Sequence, residues 1–192
     1  MDILILNGSP RTSGTVARLL HEIESSALKN GATVTFTDVS RLSFASCTGC
    51  MACRKTGKCV LPHDDAHVIA EKIKSCSAIA AGTPVYWGNM NGELKRLFDR
   101  IVYVLMKESP LGIPSPLNKG KSALIVTACT TPFPFNILCC QTTKAFAALK
   151  EILCTSGFKI KGSVTAAGKV KSEKMILRKT RKAQALGKKI SK

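Results

Sequence analysis

The sequence lacks any run of about 18 consecutive apolar residues, which is the length that a transmembrane helix requires, although 45% of its 192 residues are hydrophobic. It begins with Met1-Asp2-Ile3-Leu4 and lacks the basic region and cleavage site of a secretory signal. It also has no internal repeat and no low-complexity segment. We therefore expect a single domain covering residues 1–192, a cytoplasmic location and no membrane partner.

Acidic residues are scarce. The chain has 12 Asp and Glu against 29 Lys and Arg, which gives a formal net charge of +17. Residues 159–192 carry twelve of the basic residues and one acid, Glu173, and we expect a basic C-terminal helix at about 171–190. No aromatic residues are interleaved in this segment, whereas proteins that bind single-stranded nucleic acid stack bases on aromatic rings. The pattern favours a solvated helix face that binds no nucleic acid. A basic surface also attracts polyanionic ligands.

Short apolar runs alternate with longer periodic segments and predict five strands and five helices. This alternation is typical of a parallel sheet covered on both faces. The simplest strand order is 2-1-3-4-5, and the ligand crevice then lies outside the carboxyl ends of the strands. The predicted strands are 3–6, 33–38, 78–81, 123–127 and 159–164, and the predicted helices are 13–29, 64–74, 91–106, 142–155 and 171–190.

The segment between the first strand and the first helix, residues 8–16, reads Gly-Ser-Pro-Arg-Thr-Ser-Gly-Thr-Val. It matches neither the G-x-x-x-x-G-K-[ST] loop of nucleoside-triphosphate binders nor the G-x-G-x-x-G loop of dinucleotide binders. It opens a helix, however, and a helix N-terminus presents unpaired N–H groups and partial positive charge. Its many hydroxyls and few fixed cations indicate a monophosphate site, although an ordinary capped turn has a similar composition.

The loop after the third predicted strand, residues 82–92, contains the single tryptophan and one of the two tyrosines. Aromatic side chains in a crevice form a flat apolar wall, and glycines let backbone amides approach a polar ring edge. Together with a phosphate loop on the adjacent strand, this composition favours a planar heterocycle as the ligand. Aromatic packing within a long loop is the alternative.

Nine cysteines are present, and four of them follow the spacing C-x2-C-x2-C-x5-C in an insertion at about 45–62. Three interpretations stay open: a [4Fe–4S] cluster, which four cysteines can hold, a zinc ion, whose ligands are usually two separated pairs, and a thiol-rich loop without metal. The candidate ligands are Cys47, Cys50, Cys53 and Cys59. The other five lie in apolar surroundings and are expected to be buried. They are Cys76, Cys129, Cys139, Cys140 and Cys154.

The first loop and the run Thr83-Pro84-Val85-Tyr86-Trp87-Gly88-Asn89-Met90, followed by Leu94-Lys95 and Phe98-Asp99-Arg100, resemble the flavodoxin-like NAD(P)H-dependent FMN reductases. The match covers about residues 1–105, and the cysteine cluster resembles that of the iron–sulfur flavoproteins. The resemblance implies a three-layer α/β sandwich that binds FMN. It also implies electron transfer from NAD(P)H through FMN to a quinone, flavin or nitroaromatic acceptor, a redox partner protein or a [4Fe–4S] centre, with no catalytic acid or base from the side chains.

The resemblance also implies a set of cofactor-binding residues. The phosphate would be held by Ser9, Arg11, Ser13, Gly14, Thr15 and Val16. The isoalloxazine and ribityl chain would be lined by Pro84, Val85, Tyr86, Trp87, Gly88, Asn89 and Met90. Thr130, in the loop after the fourth predicted strand, is also expected to contact the cofactor. A homodimer or homotetramer is expected, because related proteins bury the flavin between subunits. A non-enzymatic electron-transfer protein and a thiol-based redox sensor are the alternative functions.

Overall fold

A computed structural model of the chain describes residues 1–109, 111–168 and 173–192. Its strands are β1 (Asp2–Asn7), β2 (Thr33–Asp38), β3 (Ala78–Pro84), β4 (Met106–Glu108), β5 (Pro114–Pro116), β6 (Ser122–Cys129) and β7 (Lys159–Ala167). Five of them form one parallel sheet in the order β2-β1-β3-β6-β7, while β4 and β5 pair as a separate antiparallel ribbon. Counted within the sheet, the order is 2-1-3-4-5, which confirms the predicted flavodoxin-like topology.

Helices cover both faces of the sheet. They are α1 (Thr15–Lys29), α2 (Ala52–Thr56), α3 (Asp65–Ser75), α4 (Gly92–Arg100), α5 (Val102–Leu105), α6 (Phe135–Leu138), α7 (Gln141–Thr155) and α8 (Glu173–Ile190). The predicted start of the last helix at residue 171 lies outside the described residues. Across the described ranges, no helix is both long enough and apolar enough to span a membrane.

Strand β1 shows how the sequence fills two cores. Ile3 and Ile5 pack with α1 and α8 on one face of the sheet, and Leu4 and Leu6 pack with α3, α4 and α7 on the other. Each of the four is at most 2% exposed. A strand that is buried on both faces reads as a continuous apolar run instead of an alternating one, and this explains the sequence Ile-Leu-Ile-Leu.

The single helix predicted for residues 91–106 is wrong. Helix α4 ends at Arg100, Ile101 leaves helical geometry, and the short α5 follows. Residues from a later segment take up the carbonyls at the end of α5. Asn118 Nδ2 donates to Val104 O at 2.9 Å, and Leu117 N–H donates to Leu105 O at 3.1 Å. The chain then turns into β4, which pairs with β5, and neither strand is among the five predicted from the sequence.

The expected burial of five cysteines is also largely wrong. Cys76 is buried and Cys129 is partly buried, but Cys139, Cys140 and Cys154 are exposed. Cys154 lies on the outer side of α7, whose buried positions include Leu149 and Leu153. Cys139 and Cys140 follow the short helix α6 in the third loop at the carboxyl edge of the sheet. An apolar sequence neighbourhood did not indicate which side of each helix faced the core.

Candidate functional site

Three loops leave the carboxyl edge of the sheet side by side. Asn7, the last residue of β1, pairs with Gly82 of β3. Gly8 N–H donates to Gly82 O at 2.8 Å, and Val85 N–H donates to Ala128 O at 2.8 Å. These bonds connect the hydroxyl-rich loop, the aromatic loop and the loop after β6. The sheet therefore brings the predicted phosphate and ring segments to one edge.

The hydroxyl-rich loop is held by hydrogen bonds that its own backbone N–H groups donate. Ser9 is 4% exposed and its N–H donates to Asn7 Oδ1 at 3.0 Å. Arg11 N–H donates to Ser9 Oγ at 3.2 Å, and Gly14 N–H donates to Arg11 O at 3.0 Å. Gly14 occupies the N-cap of α1, where no side chain of the described residues bonds the first turn. The N-terminus of α1 is thus left open to an anion from outside the chain.

The six predicted phosphate residues lie on this one loop and its helix. The side chains of Arg11, Ser13 and Thr15 are exposed at its rim. Val16 differs from them, because its side chain is 2% exposed and packs into the sheet beside Gly82. Only the backbone N–H of Val16 is therefore available to a ligand at the helix N-terminus.

The aromatic loop contains a two-residue turn. Tyr86 N–H donates to Asn89 O at 3.0 Å, and Asn89 N–H donates to Tyr86 O at 2.9 Å. The central residues Trp87 and Gly88 have φ angles of 52° and 75°, as a type I′ turn requires. Tryptophan rarely adopts this left-handed region, and such strain is concentrated at functional sites. The Trp87 side chain is 101% exposed, so the turn presents a bare indole ring at the edge of the sheet.

The other predicted ring-binding residues surround this turn. Pro84 and Val85 are half-buried and Thr130 is exposed. Met90 is 5% exposed and belongs to the core between the sheet and α4. Its N–H donates to Asn89 Oδ1 at 2.8 Å, so the Asn89 side chain is folded back onto the loop. The structure places all of these residues at the same end of the molecule.

The four clustered cysteines line one cavity of about 970 Å³ between the cysteine segment, α4, α5 and α7. Cys47 and Cys50 are exposed, while Cys53 and Cys59 are half-buried and pack against the core. Within the part of the chain that the structure describes, no three His, Cys, Asp or Glu side chains are placed to hold a metal ion. The thiols share a cavity but do not converge on a single centre.

The thiols are close enough to affect one another. Burial raises the pKa of Cys53, and the charges of the other three cluster cysteines raise it further. The pKa of Cys50 is lowered because the Ala52 N–H and the Thr48 side chain hydrogen-bond to its sulfur. The segment therefore holds thiols of unequal acidity around a shared space.

Arg100 is a functional candidate that reasoning from the sequence missed. Its side chain is 1% exposed, and Nη2 lies 3.3 Å from Asp64 Oδ2. Nε and Nη1 are buried without a hydrogen-bond partner in the described structure. Arg100 also lines the cysteine cavity. The available signal was its position among the apolar residues of α4, directly before Ile101, where a surface arginine is not expected.

Asp64 is the centre of a small network that holds Arg100. One carboxylate oxygen accepts from Ala66 N–H and lies 3.0 Å from His67 Nδ1, and the other accepts from Ala45 N–H at 3.1 Å. Burial raises the pKa of Asp64, but the bond from Ala45, the adjacent His67 ring and the charge of Arg100 outweigh it, and the net pKa is lowered. His67 completes a capping box at the start of α3.

Comparison with known proteins agrees with this geometry. Residues 1–159 match the family model described as NADPH-dependent FMN reductase. This match covers most of the chain, and the chain therefore belongs to the NADPH-dependent FMN reductase family. The match includes the sheet strands β1, β2, β3 and β6 and the three loops at the carboxyl edge of the sheet.

Individual relatives extend the comparison. An iron–sulfur flavoprotein of Methanocaldococcus jannaschii is 33% identical over 100 residues, which are 52% of this chain and 51% of that protein. The chain thus spans about half the length of the curated relatives it matches. Smu.1420 from Streptococcus mutans superposes with a TM-score of 0.79 at 18% identity, over 99% of this chain and 100% of its own. An FMN-dependent NADH-azoreductase from Bacillus anthracis, in complex with FMN, gives 0.77 at 15% identity over 100% and 99%. The two structures show the shared fold.

Proposed function

We propose that this protein is an FMN-dependent oxidoreductase that takes electrons from NADPH or NADH and passes them to an acceptor. The acceptor is a small oxidant of the quinone, flavin or nitroaromatic type, or an iron–sulfur centre. The observation that carries the proposal is the shared position of the uncapped α1 N-terminus and the Trp87 turn at one edge of the sheet. FMN has an anionic end and a planar end that correspond to these two features, and it supplies the hydride chemistry when bound.

At the phosphate end, the residues of this chain would bind the phosphate of FMN and neutralise its negative charge. The first N–H groups of α1 point out of the helix, and the partial positive charge there stabilises an anion. Ser13 and Thr15 add hydroxyls at the rim, and Arg11 adds a charge. Ser9 holds the loop in shape through its bond with Arg11 N–H. Val16 and Gly14 contribute backbone groups only.

At the ring end, the residues of the aromatic loop would orient the planar isoalloxazine ring of FMN. Tyr86 and Trp87 offer aromatic surface that is 48% and 101% exposed, and the half-buried Pro84 and Val85 stiffen the loop. Gly88 keeps the turn tight enough for backbone groups to reach a polar ring edge. Thr130 lies on the neighbouring loop. None of these residues is assigned as a catalytic acid or base, because their part is to position the group that reacts.

The iron–sulfur branch of the proposal rests on the shared cavity. Asn89 and Met90 of the ring-binding loop line the same cavity as the four cysteines, so the ring-binding loop and the thiols border one space. Four cysteine thiolates are the ligand set of a [4Fe–4S] cluster, and the buried Arg100 beside them offers N–H groups without a protein acceptor. The four cysteines therefore fit this cluster in the number and type of ligands.

We also propose that two or four copies of the chain assemble at this edge. Large apolar side chains are exposed on the loops there, among them Trp87, Phe133, Phe135 and Leu138, which are 101%, 73%, 56% and 70% exposed. Exposed apolar patches of this kind mark interaction surfaces. Sedimentation of Leu138→Gln should show weakened association, while Leu28→Gln, at an exposed leucine on α1, should match the wild type. A monomeric wild type at high concentration would contradict the assembly.

The decisive experiment is to purify the protein without oxygen, record its absorption and mix it with NADPH and with NADH. We expect rapid bleaching of the flavin band. Cys50→Ser should remove any broad iron–sulfur absorption and leave bleaching intact, and Cys154→Ser, an exposed cysteine outside the cluster, should change neither. A bound flavin that no nicotinamide bleaches would contradict the reductase and favour a pure electron carrier. Absence of iron absorption would remove the cluster branch alone.

A further inference from the structure

We propose that Arg100 is the internal counter-cation of the cysteine site, held in place by Asp64, and that its charge sets the reduction potential of the iron–sulfur centre. This inference rests on the proposed binding of such a centre by Cys47, Cys50, Cys53 and Cys59. It assigns to Arg100 a positioning and tuning role that differs from that of a ligand.

The first support is the environment of the guanidinium. A buried arginine is costly unless its N–H groups are satisfied and its charge is compensated. Arg100 is almost fully buried, and one of its three nitrogens reaches Asp64 at a long distance of 3.3 Å. The other two have no acceptor among the described residues. Asp64 also accepts from two backbone N–H groups and contacts the His67 ring, so a single shared carboxylate leaves Arg100 incompletely compensated.

The second support is the identity of the other charges around the cavity. Asp99 and Glu108 line it, but they are paired with Lys95 at 2.6 Å and with Arg54 at 2.5 Å. Glu151, on α7, is exposed to solvent. Among the described lining residues, the four cysteine thiols are the remaining groups that carry negative charge once they act as thiolate ligands. A cluster held by four thiolates is negatively charged overall, and hydrogen bonds and charges around its sulfurs are what set its potential.

The expected effect has a definite sign. Reduction adds negative charge to the centre, and a nearby cation stabilises the reduced form more than the oxidised form. Removal of the cation therefore lowers the reduction potential. Removal of the negative charge of Asp64 raises it, because Arg100 then acts without its counter-ion. Asparagine caps a helix as well as aspartate does, so Asp64→Asn preserves the start of α3.

The test is a spectroscopic redox titration of the protein reconstituted with iron and sulfide under nitrogen. Arg100→Gln should reduce the equilibrium constant for reduction of the centre at least tenfold, which is about 59 mV for a one-electron couple. Arg100→Lys should stay close to the wild type, and Asp64→Asn should shift the potential upward. Lys55→Gln is the matched control, because Lys55 is an exposed cation on the same cavity and solvent screens its charge.

The possible outcomes separate the role of Arg100 from the presence of the iron–sulfur cluster. If Arg100→Gln and Asp64→Asn both load the cluster and keep the wild-type potential, the role of Arg100 is overturned and the cluster stands. If Arg100→Gln does not fold, as judged by circular dichroism and FMN content, the upward shift in Asp64→Asn decides alone. If the wild type binds FMN but takes up no iron, the cluster branch of the proposed function fails, and this inference fails with it.

Discussion

Arg96 lies over the ring of Phe44, with its guanidinium carbon 4.1 Å from the ring centroid. Its Nη1 donates to Phe44 O at 2.9 Å, and its Nη2 donates to Glu93 at 2.6 Å. Phe44 is 8% exposed and comes three residues before Cys47. One side chain of α4 thus anchors the start of the cysteine segment, and Arg100, one turn further along the helix, lines the same cavity as the thiols.

Arg96→Ala should lower the free energy of unfolding by about 1–2 kcal/mol, because a cation–π contact and a hydrogen bond to a backbone carbonyl are lost. Urea denaturation measures this, and limited proteolysis should show earlier cleavage near Phe44. Lys95→Ala is the control. Its pair with Asp99 is half-exposed, and such pairs contribute about 0.5 kcal/mol or less. Equal losses in the two variants would contradict the anchoring role of Arg96.

Gly8→Ala should destabilise the edge of the sheet. A Cβ at Gly8 would lie 2.9 Å from Gly82 O and 3.0 Å from two atoms of Leu94, and overpacking of this kind costs roughly 1–3 kcal/mol. Gly92→Ala is the matched control, since a Cβ there meets no described atom within 4 Å and alanine favours a helix by up to about 1 kcal/mol. Thermal unfolding should place the two variants on opposite sides of the wild type, and a neutral Gly8→Ala would argue against the close contact.

Trp87→Asn should separate stability from binding. Asparagine tolerates a φ of 52° better than tryptophan, so the cofactor-free protein should keep its stability or gain up to about 1 kcal/mol. FMN affinity should fall roughly fivefold, by about 1 kcal/mol, because an aromatic contact is lost. Leu111→Asn, at a residue that is 84% exposed, should leave affinity unchanged. If both variants bind FMN like the wild type, the indole does not contact the ring.

The lowered pKa of Asp64 predicts that the stability of the protein depends on pH. The folded pKa of Asp64 is lowered, so Asp64 contributes stability that is present above its unfolded pKa of about 3.9 and is lost as the pH falls through the folded value. Between about pH 5 and pH 3, the wild type should lose stability more steeply than Asp64→Asn, which caps α3 but does not titrate there. Urea midpoints at several pH values measure the two slopes. Parallel slopes would show that Asp64 does not carry this dependence.

The order of the sheet could be predicted because each strand and each covering helix carries its own local pattern, as Ile3 to Leu6 and the stripe of α1 show. The position of the hydroxyl-rich loop was predictable for the same reason, since its hydroxyls directly precede a helix. Features that depend on distant residues were not predictable. Helix α5 ends where Asn118 binds the Val104 carbonyl, and no local signal around residue 104 indicates that partner.

The candidate site also contains some features with a local sequence signal and others that depend on distant residues. Residue type and spacing identified the four cysteines and the aromatic turn, because both motifs are short and contiguous. The exposure of Cys139 and Cys140 was missed, since it depends on how α6 sits at the sheet edge. The burial of Arg100 was missed because its partner, Asp64, lies 36 residues away, and the cavity that Arg100 lines exists only in the folded chain.

The most direct test of the account is a titration of the cofactor-free protein with FMN and with riboflavin, which lacks the phosphate. Charge-assisted hydrogen bonds contribute about 1.5–3 kcal/mol each, so FMN should bind at least tenfold more tightly than riboflavin, with one molecule per chain. Ser13→Asp, which sets a negative charge at the start of α1, should remove that preference and leave riboflavin binding intact. Equal affinities in the wild type, or a preference for FMN that survives Ser13→Asp, would contradict a phosphate site at this helix.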